Sequence, residues 1–386
     1  MGNNRIRVLK GVSCFALFCI ILVGLTAIIG TGDGNGVSGG TGTLSLSLTD
    51  AAADDFQAAY VTIQDVTAHK SGATSDSWIT VASPEKTYNL LELVNGVVEQ
   101  LGLSELDTAH YTQLRLLLGD TPSGTTNIMG DPHPYPNYVI DYSGVTTELK
   151  VPSGYQSGIK LVHGFDITAG VTTELVLDFD ASKSIMRAGN SGKIMLKPTI
   201  KVLDALTSPV INGTVMTGVT GLSGVYISAQ VYDPDAADPE NEVTVSTGTI
   251  SGVSGNYSLI LEPGTYNLVA YKNGYDPVCS GITVETDSAY TQDIDLTASA
   301  VTGIISGTVS IKEGNDQIAT LSFRQTAECD ADGGVQIEIK SVSVASGGTY
   351  SESLPEGTYS VVASTENRDT LVNEVSTGTI WDMVLK

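Results

Sequence analysis

The side chains whose types and spacing could do chemistry in this sequence are carboxylates. Asp233, Asp235, Asp238, Glu240 and Glu242 crowd one short stretch, YDPDAADPENEV. Ca²⁺ is the cofactor such a loop would hold, because that ion takes six to eight oxygens, often from several carboxylates of one loop. Asp178 and Asp180, in LDFDAS, are two apart, so on a strand they project from the same face. Their repulsion would be relieved by a cation, or by Lys183 or Arg187 nearby. Two carboxylates on one strand face could also divide the acid and base roles of a hydrolase. Asp50, Asp54 and Asp55 form a third set. None of the three has the Gly and Glu placement of an EF-hand loop. A second reading stays open for all of them: Asp caps backbone groups and Asp-Pro starts turns.

Other catalytic inventories fail. His69, His110, His133 and His163 stand in no Zn-binding spacing. The run Gly36-Val37-Ser38-Gly39-Gly40 lies within the Gly-rich stretch, with no strand before it or helix after it, so it makes no G-x-S-x-G elbow, and no Cys stands beside a histidine partner. His133, framed by Pro132 and Pro134, is explained by a surface loop. The glycines of GTGDGNGVSGGTG lack the strand before and the helix after that a phosphate loop needs, so they read as a tether. Asn212-Gly213-Thr214 and Asn256-Tyr257-Ser258 fit the short glycosylation pattern. The net charge of −24 repels phosphate backbones and excludes nucleic acid as a partner class. The chain is therefore expected not to be an enzyme, with no catalytic residue assigned. The alternative is a carboxylate-dependent hydrolase, or an accessory subunit of one, using Asp178 and Asp180.

The elements that must position these residues are strands. Apolar residues alternate at Leu44, Leu46 and Leu48, at Leu175, Leu177 and Phe179, and at Ile194 and Leu196, between Gly-rich turns. Hydrophobic residues make up 41% of 386 residues, enough for two or three cores, and 42 glycines favour short strands and many turns. Tyr88 to Gly102 has mixed periodicity and reads as a strand end followed by a short helical turn or two. The expected fold class is all-β: tandem antiparallel β-sandwiches, immunoglobulin-like or prealbumin-like. The divisions are a signal or anchor over 1–30, a Gly-rich linker over 31–42, and sandwiches over 43–204, 209–298 and 303–386. The last two are an internal repeat. Gly213-Thr214-Val215 and Gly307-Thr308-Val309 are 94 residues apart, and Gly264-Thr265-Tyr266 and Gly357-Thr358-Tyr359 are 93 apart. In each copy a Pro-containing turn precedes a strand that begins with the core-facing Tyr266 or Tyr359. Ala109-His110-Tyr111 is a similar element in the first unit.

Arg5, Arg7 and Lys10 precede an apolar run from Val12 to Ile29, the order of a secretory signal, and just long enough for an uncleaved membrane anchor. Everything after Gly30 would then lie outside. Beyond that run the cysteines are Cys279 and Cys329. They fall in different predicted units, so pairing would need contact between units, and the expectation is two buried thiols behaving as small apolar residues.

LSLTDAAADDFQAAYVTIQDV, SGYQSGIKL, LVLDFDASKSI and KIMLKPTIKV together resemble a prokaryotic domain of unknown function, over roughly residues 43–203. That family occurs on exported proteins and lipoproteins. The lipid-anchor Cys common there is missing before this linker, since Cys14 and Cys19 have the wrong neighbours. The two repeats, with SGNYSLILEPGTYNLVAYKNGY and GGTYSESLPEGTYSVVAS, resemble the carboxypeptidase regulatory-like (transthyretin-like) sandwich. These resemblances imply an exported protein of the cell envelope, periplasmic or on the cell surface. The expected function is a non-catalytic binding or spacer module whose partner is an envelope protein or a carbohydrate. It would meet the membrane through the N-terminal segment if that is uncleaved. Tyr135 and Tyr138 could stack on a sugar, although loop packing is the simpler expectation. A purely structural stalk is the remaining alternative.

Overall fold

The computed structural model of the chain describes residues 40–386 apart from 52–55, 75–76, 125, 152–157, 189–192, 313–317, 331–332 and 366–367. The N-terminal export or anchor segment, most of the Gly-rich linker, and Asp54 and Asp55 lie outside the described residues. Among those described, no helix is long and apolar enough to cross a membrane.

The chain is all-β, and among the described residues there is one four-residue α-helix together with short 3₁₀ turns. In the first unit a four-stranded sheet runs in the order Ile200–Asp204, Thr172–Asp180, Thr41–Ala51, Glu99–Asp107. Its central pair is parallel, Leu46 opposite Leu175 and Leu48 opposite Leu177, while the outer pairs are antiparallel. Alternation puts Leu44, Leu46, Leu48, Leu175, Leu177 and Phe179 on one face, and all are buried. They pack against a second sheet built on Ala58–Lys70 and Ala109–Leu118, which contributes Ile63, Val66, Leu114 and Leu116. That sheet continues through one parallel rung, Arg187 with Val344, into the strands Ile318–Asp330 and Gly333–Ala345. The mixed stretch after Tyr88 resolves into the strand Lys86–Asn89, a 3₁₀ turn at Leu90–Glu92, and the strand Glu99–Asp107. Glu99 to Gly102 is thus extended where a helical turn was expected; its pairing with Leu46–Leu48 decides it.

Two further cores follow, one around Ile211, Ile227 and Leu268 and another around Ile305, Phe323 and Val361. The sequence repeat has a physical meaning in both. Gly213 lies where a Cβ would meet the Gln292 carbonyl oxygen at 1.9 Å, and Gly307 where one would meet the Trp381 carbonyl oxygen at 2.0 Å. Only glycine lets the neighbouring segment pass so close. The residue after each glycine donates its backbone N–H to an aspartate there, Thr214 to Asp293 and Thr308 to Asp382, both at 2.8 Å. Tyr257 and Tyr350 then donate their hydroxyls to those same carbonyls, Gln292 at 2.5 Å and Trp381 at 2.8 Å.

The tyrosines that begin the next strands make a second recurring device. Tyr266 donates to the Glu262 carbonyl at 2.9 Å and Tyr359 to the Pro355 carbonyl at 2.8 Å, each four residues upstream. Tyr111 does the same to Asp107 at 3.2 Å in the first unit. Each ring fills a core while its hydroxyl pins the preceding turn.

One sequence expectation is corrected. Cys279, on the strand Val278–Val284, and Cys329, on Ile318–Asp330, are joined in a disulfide with Cα atoms 4.7 Å apart. They are not free thiols. Tyr271 and Val269 of the first repeat pack into the core of the second, and that contact brings the two sulfurs together.

Candidate functional site

The two Asp that sequence spacing placed on one strand face take different roles. Asp180 ends the strand Thr172–Asp180 and caps the helix Ala181–Ser184, accepting from the Lys183 N–H at 3.1 Å and the Ser182 hydroxyl at 2.6 Å. It also pairs with the Lys183 ammonium at 3.3 Å. Asp178 is 5% exposed and accepts from the Thr247 hydroxyl at 3.1 Å through Oδ2. Burial first, then the Asp180 charge, pushes its carboxyl up to about 7. Parallel pairing brings Asp50 to the same end of the sheet, where it accepts from the Ala181 N–H at 3.0 Å. Burial and Asp180 raise it well above the usual range, and its Oδ2 is buried without a partner.

The wall opposite Asp178 comes from the first repeat. Its strand Val243–Ile250 carries a β-bulge: Thr247 faces Ala229 and Val245 faces Gln230, leaving Ser246 unpaired between them. Two lysines of the first unit reach this bulge. Lys183 donates to the Val245 carbonyl at 3.0 Å, and Lys201 donates to the Ser246 carbonyl. Beside them opens a cleft of 350 Å³, lined among others by Asp178, Lys201, His163, Glu262 and Tyr266.

A turn at Asn95-Gly96 fastens the other side. Asn95 has φ 67°, a left-handed conformation that Asn tolerates better than most residues. Its backbone N–H donates to the Thr249 hydroxyl at 2.8 Å. Its carboxamide donates to the Asn256 carbonyl at 3.0 Å and accepts from the Ser258 N–H at 2.7 Å, as a neighbouring strand would. Gln230, 1% exposed, repeats this between the two repeats: it donates to the Glu338 carbonyl at 2.7 Å and accepts from the Glu338 N–H at 2.8 Å.

The acidic loop at 233–242 is the other half of that junction. Asp233 accepts from the Asp235 N–H at 3.0 Å, and Asp238 caps the turn Pro239–Glu242 by accepting from the Glu240 N–H at 3.0 Å. Asp238 also accepts from the Thr370 hydroxyl at 2.6 Å. Arg324, 3% exposed, donates to the carbonyls of Pro239 at 2.7 Å and Glu240 at 2.9 Å. Turn chemistry and docking thus occupy Asp233 and Asp238 and the backbone around Glu240 and Glu242. Among the described residues, no three His, Cys, Asp or Glu come together as a metal site.

His133 sits edge-on to Tyr60 with ring centroids 5.0 Å apart and hydrogen-bonds the Tyr138 hydroxyl at 2.7 Å. Tyr138 is buried and stacked on Tyr60, so it presents no face to a sugar, while Tyr135 is exposed. Sequence reasoning found Asp178 but missed its surroundings. Lys201 and Thr247 carry no motif, and Asn95 had only the Asn-Gly turn signal.

Residues 41–198 match a known family model. It is described as Domain of unknown function (DUF4382). The Asp50–Asp178–Asp180 cluster lies inside the DUF4382 region, whereas Lys201, Thr247 and Glu262 lie beyond it. No curated protein matches the chain. Among solved structures, the Bacillus anthracis TIE protein is 13% identical with a TM-score of 0.20 over 90% of this chain, which spans 50% of that protein's length. A streptococcal ancillary pilin is 10% identical, covering 89% of this chain and 99% of its own, with a TM-score of 0.21. Shaft pilin SpaA from Lactobacillus rhamnosus GG is 10% identical over 46% of this chain and 96% of its own, with a TM-score of 0.20. Likenesses at this level say nothing of what the chain does.

Proposed function

We propose that the chain is a non-catalytic cell-envelope protein, a rigid module of three β units that binds or spaces a protein or carbohydrate ligand. The observation that carries this reading is the Cys279–Cys329 disulfide between the two repeats. Structural disulfides persist in oxidising compartments and are rare in a reducing cytosol. The basic-then-apolar N-terminal segment supports the same address. Rigidity is supported by polar docking, with half-buried Asn95 and buried Gln230 and Arg324 each bonded to the backbone of another unit. The Gly213 and Gly307 arrangements, matched in detail, support reading 209–298 and 303–386 as duplicated regulatory-like sandwiches.

The test is the state of the two thiols in the source cell. Denaturing maleimide labelling should leave Cys279 and Cys329 unmodified until a reductant is added. Protease applied to intact spheroplasts should reach the protein. Two freely labelled thiols on a protease-shielded chain would sink the envelope reading.

A second reading is favoured by one observation, a carboxyl near neutral pH in a cleft: a hydrolase or accessory subunit acting through Asp178. Asp180 is a poor second group for it, being held by Lys183 and the helix cap. Turnover of a glycoside or peptide library that is lost in Asp178→Asn with the fold intact would favour this reading over the first.

A further inference from the structure

The strand Ile200–Asp204 closes one edge of the first unit's four-stranded sheet and, among the described residues, pairs on one side only, with Thr172–Asp180. The flanking bonds show which way each backbone group points. The Thr199 carbonyl accepts from the Asp180 N–H at 2.9 Å, and the Ala205 N–H donates to the Glu174 carbonyl at 3.0 Å. In an antiparallel pair alternate residues face the neighbour, so Thr199, Lys201, Leu203 and Ala205 point inward. The N–H and C=O of Ile200 and Val202 point outward, where no described residue meets them. This free edge is the floor of the 350 Å³ cleft: Ile200 to Leu203 line it as an unbroken run. Segments 161–163 and 260–262 form its walls.

A second observation points to what enters. Asp178 opens on the cleft although it is 5% exposed. Thr247 occupies its Oδ2, and Oδ1 accepts no hydrogen bond from a described residue. Lys201, directly opposite on the edge strand, and Lys183 act on this carboxylate through space, but their ammonium groups hydrogen-bond the Ser246 and Val245 carbonyls. Glu262 adds a second carboxylate to the lining. A buried carboxylate with an open oxygen asks for a cation, and an unpaired strand edge asks for another strand.

We propose that this cleft is a strand-addition site for an extended peptide segment of a partner protein, whose backbone pairs with Ile200 and Val202 and whose lysine or arginine meets Asp178. Main-chain bonds supply affinity and the side-chain contact supplies selectivity, as in other strand-addition complexes. The charge of −24 steers a basic segment toward the cleft and disfavours a second copy of this chain. The proposal deepens the binding-module reading and rests on it. Thiol state and protease access are independent of it, so failure here leaves the envelope assignment standing.

The test uses the full chain in detergent and a fluorescein-labelled probe, Thr-Lys-Thr-Lys-Val amide, followed by fluorescence anisotropy. Saturable binding is expected. It should weaken by about tenfold or more when the probe's lysines become glutamates, when its edge-facing amides are N-methylated, and in Asp178→Asn, since one charge-assisted bond is worth that much. Ile200→Pro removes an outward N–H at the first residue of the strand, a position that tolerates proline, and should have a similar effect with the melting curve kept. Asp233→Asn should bind as the wild type does. Equal binding of acidic and basic probes, indifference to N-methylation, competition by lysine amide alone, or no saturation at millimolar probe would each overturn the proposal. The probe arms decide the matter even where Ile200→Pro fails to fold.

Discussion

Asp178 shows how one residue's environment sets its chemistry. Its carboxyl is raised from 3.8 to about 7 by burial and by Asp180. The native state therefore binds more protons than the unfolded chain between about pH 4 and 7. Its contribution is fully present at the acid end of that window and is lost as pH rises through it. The shift corresponds to roughly 4 kcal/mol, an upper bound because the neighbours relax. Asp178→Asn should accordingly be more stable than the wild type at pH 8 and show little gain at pH 4, in urea titrations at both values. An unchanged difference across that range would mean the carboxylate is solvated better than its burial implies. Asn95 makes the opposite case. Asn95→Ala loses two side-chain bonds to the strand Asn256–Ile260 and leaves Ala at φ 67°. The expected loss is about 2–4 kcal/mol, read as a lower urea midpoint. Asn95→Gly, which accepts the backbone angle, should recover part of it.

At the scale of elements, much was legible and the reasons are local. Leu44, Leu46 and Leu48 alternate because one face of their strand is buried, and the periodicity stated that face correctly. The Gly-Thr-Val and Gly-Thr-Tyr landmarks recur in sequence because the same close approach and the same tyrosine bond are made at both places. Gly213→Ala or Gly307→Ala should therefore cost about 1–3 kcal/mol or more, since a methyl group at either position collides with a backbone carbonyl. Gly274→Ala is the informative control: no atom lies within 4 Å of its added Cβ, and its cost should come from its φ of 85° alone. Parallel pairing was not legible. Nothing in LSLSLTDA or TTELVLDFD announces that Asp50 and Asp178 will share one end of a sheet across 128 residues, because pairing direction is set by the connection between strands. The carboxylate cluster was therefore visible as two sets in sequence and as one only in space.

At the scale of the molecule, the hidden information is how the units meet. Arg324 and Gln230 sit in alternating strands where any polar residue would look solvent-facing, yet both are buried and bonded to another unit's backbone. The disulfide belongs to the same junction. It was not expected because geometry for it exists only once Tyr271 has entered the neighbouring core. Cross-linking residues 50 apart is worth about 4 kcal/mol by the loop-closure argument, less whatever order the open chain retains. That figure applies to the two repeats and hardly touches the first unit, whose buried core is its own. Cys279→Ser/Cys329→Ser should thus split the thermal melt, lowering the transition of the repeats while the transition of the first unit stays in place. If instead both transitions move together, the three units unfold as one, and docking through Asn95 and Lys183 couples the DUF4382 region to the repeats more tightly than the cross-link does. A wild-type melt with and without reductant distinguishes the two. In either case the cleft at Asp178 depends on the junction, because its carboxylate and its bulged wall come from different units.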